Sequence, residues 1–160
     1  MDRADETIHL HAGDGRGAVA ALTDAVLPDS SRFSISDVVM GRAGGAGHVV
    51  WNSGTTAVDL NPLGTFPSGD DAAVYYQLAE LEAGKSYRTT ITFFGASDAA
   101  GKKPRLQLTF NDVARQSRIE VARTMGLKNL DPGAYRMVVA VGDGVKSVTG
   151  KTRLTVVRNP

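Results

Sequence analysis

Apolar and polar residues alternate with period two along most of this chain. From Leu127 to Val157 it reads LKNLDPGAYRMVVAVGDGVKSVTGKTRLTVV, with Tyr135, Met137, Val139 and Val141 on alternate positions. Gly142-Asp143-Gly144 breaks the run, and Leu154 and Val156 resume it. Such spacing buries one face of each strand and predicts a long β-hairpin. The same alternation appears at Val74, Tyr76 and Leu78, at Tyr87, Thr89, Ile91 and Phe93, at Leu106, Leu108 and Phe110, and at Ile119 and Val121. Shorter strands are expected at Ile8–Leu10, Phe33–Gly41, Val49–Trp51 and Thr56–Leu60. Turns are expected at Leu81-Glu82-Ala83-Gly84, Asn52-Ser53-Gly54 and Asn111-Asp112, with a flexible loop at Gly44-Gly45-Ala46-Gly47. Phe66 lies between two turn-rich segments and reads as an apolar plug within a loop. Residues 17–27 fit a helical and a strand spacing equally.

The count is about nine strands with turn signals every 8–12 residues, and no segment carries three turns of amphipathic helix. That pattern predicts an all-β sandwich or barrel. Leu130-Asp131-Pro132-Gly133-Ala134-Tyr135 narrows it. A Tyr placed just after a tight turn at a strand start can fold its hydroxyl back onto upstream backbone while its ring enters the core. This tyrosine corner belongs to Greek-key sandwiches, so an immunoglobulin- or fibronectin-like sandwich is expected, with Gly133 and Tyr135 as structural residues. Leu81, Gly84 and Tyr87 loosely echo Leu130, Gly133 and Tyr135. A second echo pairs Gly13-Asp14-Gly15 and Val19 with Gly142-Asp143-Gly144 and Val148, either as an internal repeat or as a common hairpin turn used twice. Residues 1–28 are expected as an accessory hairpin, a remnant of a preceding sandwich, and residues 29–160 as the sandwich proper.

The 160 residues give one domain with room for a substantial core, and 42% of them are hydrophobic. A net charge of +1, from eighteen cations dispersed among seventeen acids, leaves no basic stripe for nucleic acid. No apolar run approaches the roughly 18 residues that span a bilayer. Cysteine is absent, which removes disulfides, zinc–thiolate sites and thiol nucleophiles. No signal-peptide pattern precedes Asp2, and Met1-Asp2-Arg3 reads as an initiator set on a fragment of a longer exported chain.

SISDVVMG (Ser34–Gly41), LNPLGTF (Leu60–Phe66), VYYQLAELEAGKSYRTT (Val74–Thr90) and LDPGAYRMVVAVGD (Leu130–Asp143) together resemble the β-sandwich region near the C-terminus of bacterial exported proteins that carry a GWxTD or von Willebrand A-type domain upstream. The resemblance covers most of residues 8–157, and the GWxTD motif itself is absent. It implies an accessory or binding module of the cell envelope, not a reaction.

Candidate chemistry is sparse. His9 and His11 sit two apart on a strand, so both rings share one face. Gly45-x-x-His48-x-x-x-Asn52 resembles half of a cupin metal motif, and His9, His11 and His48 are the metal-ligand candidates. Against this, Gly15 and Arg16 stand where that motif has Glu, and Ala43 where it has Pro. Surface histidines are the expectation, with no metal and no cofactor. Asp14 and Asp143 lie in Gly-Asp-Gly turns without the acidic ladder that calcium needs. No G-x-S-x-G elbow occurs, so no nucleophilic hydrolase is expected. Trp51 is expected in the core, as sandwiches often have it; sugar binding would need Trp51, Tyr75 or Tyr76 exposed on one face.

The expected protein is therefore a non-catalytic module in the periplasm, on the cell surface or outside the cell, contacting a protein partner or a neighbouring domain. It would bind no nucleic acid, insert in no membrane, and exist as a monomer or weak dimer. A carbohydrate- or small-ligand-binding sandwich is the second reading, and a cupin-like metalloenzyme the third.

Overall fold

Alternation of this length forces two sheets to face each other, since each strand carries one apolar face that must be covered. The structure is a computed structural model that describes residues 8–11, 17–20, 28–43, 50–53, 56–61, 63–98 and 100–158; for 8–11, 17–20, 50–53 and 56–57 it describes the backbone alone. The described residues contain thirteen strands and no helix. They are β1 (Ile8–His11), β2 (Gly17–Ala20), β3 (Ser34–Ile35), β4 (Val39–Arg42), β5 (Val50–Ser53), β6 (Thr56–Leu60) and β7 (Thr65–Pro67). The longer strands follow: β8 (Asp71–Ala79), β9 (Ser86–Gly95), β10 (Pro104–Val113), β11 (Ile119–Gly126), β12 (Gly133–Gly142) and β13 (Ser147–Val157).

One sheet has five strands in the order β10-β9-β12-β13-β7. The other has six, with β11-β8-β4-β6-β5 in line and β3 also paired to β8. β1 and β2 form a separate antiparallel pair, with Ile8 opposite Ala20 and His11 opposite Gly17. The chain changes sheet between β8 and β9, between β10 and β11, and again between β11 and β12. Only β9–β10 and β12–β13 are hairpins within the five-stranded sheet. Sheet-switching of this kind makes the sandwich a Greek-key arrangement rather than a meander.

The core lies where the alternation placed it. Val74, Tyr76 and Leu78 of β8 meet Ile91 and Phe93 of β9, Met137, Val139 and Val141 of β12, and Leu154 and Val156 of β13. Each fully buried side chain of this size contributes about 1.5–3 kcal/mol.

Five local expectations need correction. Asn52 and Ser53 are not turn residues but continue β5, opposite Ala57 and Thr56. Phe66 is no loop plug: it is 1% exposed at the centre of β7, which runs parallel to β13 with Phe66 opposite Val156. Three residues ending in Pro67 are too few to show a period, so the strand was invisible in the pattern. Asn111 and Asp112 are not a turn. They continue β10, opposite Arg88 and Tyr87, and the chain turns after Ala114, which exchanges backbone hydrogen bonds with Gly84 and Lys85.

Phe33–Gly41 is likewise not one strand. Ile35 pairs with Leu78 but Val39 pairs with Tyr75, so one extra residue interrupts the run. At the interruption the Ser36 N–H donates to the Gln77 carbonyl (2.9 Å), and the Gln77 N–H donates to Ser36 Oγ (2.8 Å). The hydroxyl thus takes the acceptor role a carbonyl would have in a regular ladder. The bulge aims Val38 across at Gly150 of β13. Finally, β8 is buried on both faces: Tyr75 and Gln77 are buried as well as their neighbours, where the alternation predicted one face in water. The turn at Gly13-Asp14-Gly15 and residues 21–27 lie outside the described residues.

Candidate functional site

Turns at one end of the sandwich concentrate its polar chemistry. Gly84 takes φ 85° in the turn between β8 and β9, and Gly144 takes φ 94° between β12 and β13, conformations open to glycine at no steric cost. The two turns meet through Lys85. Its ammonium lies 2.7 Å from Asp143 Oδ2 and 3.1 Å from Glu82 Oε1. Asp143 Oδ1 accepts the Val145 and Lys146 N–H groups at 2.8 and 2.7 Å. Both oxygens of this carboxylate are engaged within the fold, and its side chain is only 4% exposed. The Lys146 N–H, then the Lys85 ammonium and the Val145 N–H, hold the Asp143 carboxyl well below the ordinary 3.8. Asp143, and then Glu82, push the Lys85 ammonium above its ordinary 10.5. Asp143 is thus bonded into its own turn; Asp14, the other Gly-Asp-Gly residue, lies outside the described residues.

The two tyrosines expected to mark turns each fold back on theirs. Tyr135 donates its hydroxyl to the Asp131 carbonyl at 2.6 Å. The Tyr87 hydroxyl accepts the Glu82 N–H at 2.9 Å, and its ring packs against Phe33 with centroids 5.4 Å apart. The echo between the two segments is thus physical but reversed in polarity, one phenol donating and the other accepting. Burial pushes the Tyr135 phenol above its ordinary pKa. Gly133 opens β12, opposite Val156.

Beside the Asp143 turn an open concavity of about 480 Å³ lies over the five-stranded sheet, lined among others by Ser86, Arg88, Thr90, Asn111 and Lys146. Its lining offers hydroxyls, an amide, two cations and the Asp143 carboxylate, which Lys85 and two backbone N–H groups already engage, with no histidine and no aromatic ring. That set can hydrogen-bond a ligand or a protein surface; it contains no hydroxyl paired with a general base.

A second polar group sits where the sheets part between β10 and β11. Arg123 donates to Asp112 and lies over the Phe110 ring at 4.4 Å. Behind it the Tyr76 hydroxyl is buried without a hydrogen bond of good geometry, facing Thr89 and Arg123, and burial pushes its pKa up. No sequence signal announced either cluster, because Lys85 and Asp143, or Tyr76 and Arg123, meet only through sheet pairing.

His9 and His11 lie on β1, with His9 opposite Val19. The side chains of His9, His11 and Trp51, and the whole of His48, lie outside the described residues. Among the described residues no group of three or more His, Cys, Asp or Glu side chains could hold a metal ion. Tyr75 and Tyr76 are 2% and 0% exposed, so neither is a platform for a sugar ring. No helix among the described residues is long and apolar enough to cross a membrane.

Fold and site together define a two-sheet, all-β sandwich whose polar side chains chiefly tie its turns. No family model matches the chain, and no curated protein matches it. Among solved structures it is similar to the soluble domain of PmoD from Methylocystis sp. ATCC 49242 (Rockwell), at 8% identity and a TM-score of 0.40, over 82% of this chain and 98% of that one.

Proposed function

We propose that this chain is a non-catalytic, immunoglobulin-like module of a larger exported bacterial protein, acting in protein–protein contact or domain spacing in the cell envelope. The observation that carries the reading is how the polar groups are used. Tyr87, Lys85 and Asp143 at one end of the five-stranded sheet, and Tyr135 at the other, all bond to turns of their own chain, which supports a structural use of these groups over chemistry on a substrate. The order β10-β9-β12-β13, with β7 parallel to β13, supports an immunoglobulin-type arrangement with a supplementary strand beside the central hairpins. The Tyr135–Asp131 bond supports the tyrosine corner of that class. The resemblance to GWxTD and von Willebrand A-type proteins supplies the envelope setting.

The test is to purify the flanking regions of the parent polypeptide separately and titrate them with this chain by calorimetry. Saturable association, with no turnover of ester, phosphate or glycoside substrates, is expected. Saturable binding to a soluble polysaccharide, with no association to any flanking region, would replace this reading with the carbohydrate-binding one.

A further inference from the structure

We infer that the open edge of β10 is a self-association surface, on which a second copy of this chain adds its own β10 antiparallel and joins two five-stranded sheets into one. The inference is independent of the functional reading above.

β10 ends its sheet, with no strand beyond it among the described residues. An open edge offers a row of unpaired N–H and C=O groups, and proteins that stay apart blunt it with shortness, charge or proline. The other edges are blunted so. β7 has three residues and ends in Pro67, β5 has four, and β11 carries Glu120 and Arg123. β10 has ten residues, and from Leu106 to Asn111 it carries no charge. Its acid, Asp112, is already ion-paired to Arg123. Leu106, Leu108 and Phe110 pack on the core yet stay only partly buried, whereas Ile91 and Phe93 on the adjacent strand are fully covered. A further strand would cover that remaining apolar surface.

Complementarity selects a second copy as the occupant. A two-fold axis through a continuous sheet must place like faces opposite each other, which restricts the register to steps of two residues. Centred on Thr109, the pairing sets Thr109 against Thr109, Leu108 against Phe110, and Gln107 against Asn111. Leu106 then meets Asp112, and Arg105 lies at the register shift between Pro104 and Leu106, where the regular ladder of β10 stops. Over the central residues 107–111 apolar meets apolar and amide meets amide, no like charges are opposed anywhere, and the Asp112 that faces Leu106 keeps its ion pair with Arg123. Pro104, which has no N–H to give, falls outside the ladder in this register.

The experiment is sedimentation equilibrium over a concentration series. The mass is expected to rise from 16.9 kDa toward twice that value. Thr109 is exposed in the single chain, so Thr109→Lys and Thr109→Glu should still fold and melt cooperatively, without the parent's dependence of Tm on concentration. Each places like charges opposite one another and should stay monomeric, while an equimolar mixture of the two should regain the dimer mass. Because the chain has no cysteine, Thr109→Cys provides a second readout: mild oxidation should link it into covalent pairs, whereas the same substitution at exposed Thr155 should not. A parent that is monomeric at every concentration, a dimer indifferent to Thr109→Lys, or equal cross-linking through positions 109 and 155 would overturn the inference.

Discussion

At the scale of single residues, Tyr135 and Asp143 separate ring from hydroxyl and charge from shape. Tyr135→Phe keeps the ring and loses the bond to Asp131. Asp131 is exposed, so water takes over its carbonyl, and the expected cost is about 0.5–1.5 kcal/mol, read as a lower urea midpoint. An unchanged midpoint would show that the hydroxyl does nothing for the fold. Asp143→Asn still offers an oxygen to the Val145 and Lys146 N–H groups, so it isolates the ion pair with Lys85. The Asp143 pKa is depressed in the folded chain, so its stabilisation is present above the ordinary 3.8 and lost as pH falls through the lower folded value. Lys85 is shifted upward, so its share is present below 10.5 and lost as pH rises through the raised value. The midpoint gap between parent and Asp143→Asn should be widest between those limits and should close in acid. A gap that does not change with pH would assign the effect to packing instead.

At the scale of elements, two glycines mark where strands approach closely. A Cβ on Gly41 of β4 would stand 2.2 Å from the Asp59 carbonyl of β6, and one on Gly150 of β13 would stand 2.5 Å from Val38 Cγ2 on the bulge. The first obstacle is main chain and the second is a side-chain end. Gly150→Ala is expected to cost about 1–3 kcal/mol, and Gly41→Ala more, because β4 and β6 must move apart to admit the methyl. Denaturation midpoints in the reverse order would mean that the bulge, not the β4–β6 pair, is the rigid partner.

At the scale of the whole molecule, β1–β2 stands apart as its own two-stranded sheet. A lone hairpin is marginal in water, whereas the two large sheets share one core. Deleting residues 1–27, and so keeping the buried Pro28, should leave a β-rich domain that melts cooperatively at a lower temperature. Loss of the cooperative transition would make the hairpin integral and move the domain boundary. The histidines of β1 bear on the third reading: protein dialysed without chelator should hold no stoichiometric transition metal. About one equivalent, lost in a His9→Ala/His11→Ala variant, would favour the metalloenzyme reading over the non-catalytic one.

Period-two alternation is a local property, so the chain announced by itself that it is all β, where β8, β9, β12 and β13 run, and which of their faces enter the core. The turn chemistry of Pro132-Gly133 and Gly84 was equally local, and so was the placing of Tyr135 and Tyr87 just after those turns. Everything that depends on which strands become neighbours was not legible. Three-residue β7 shows no period, and only its place beside β13 makes it a strand. The bulge at Ser36 depends on Gln77 lying across from it, the burial of Tyr75 depends on what covers the second face of β8, and β10 runs past Asn111 because β9 extends as far alongside. Lys85 and Asp143 came together for the same reason: one turn carries the chain from sheet to sheet between β8 and β9, the other closes the β12–β13 hairpin, and the pairing of β9 with β12 sets them 2.7 Å apart.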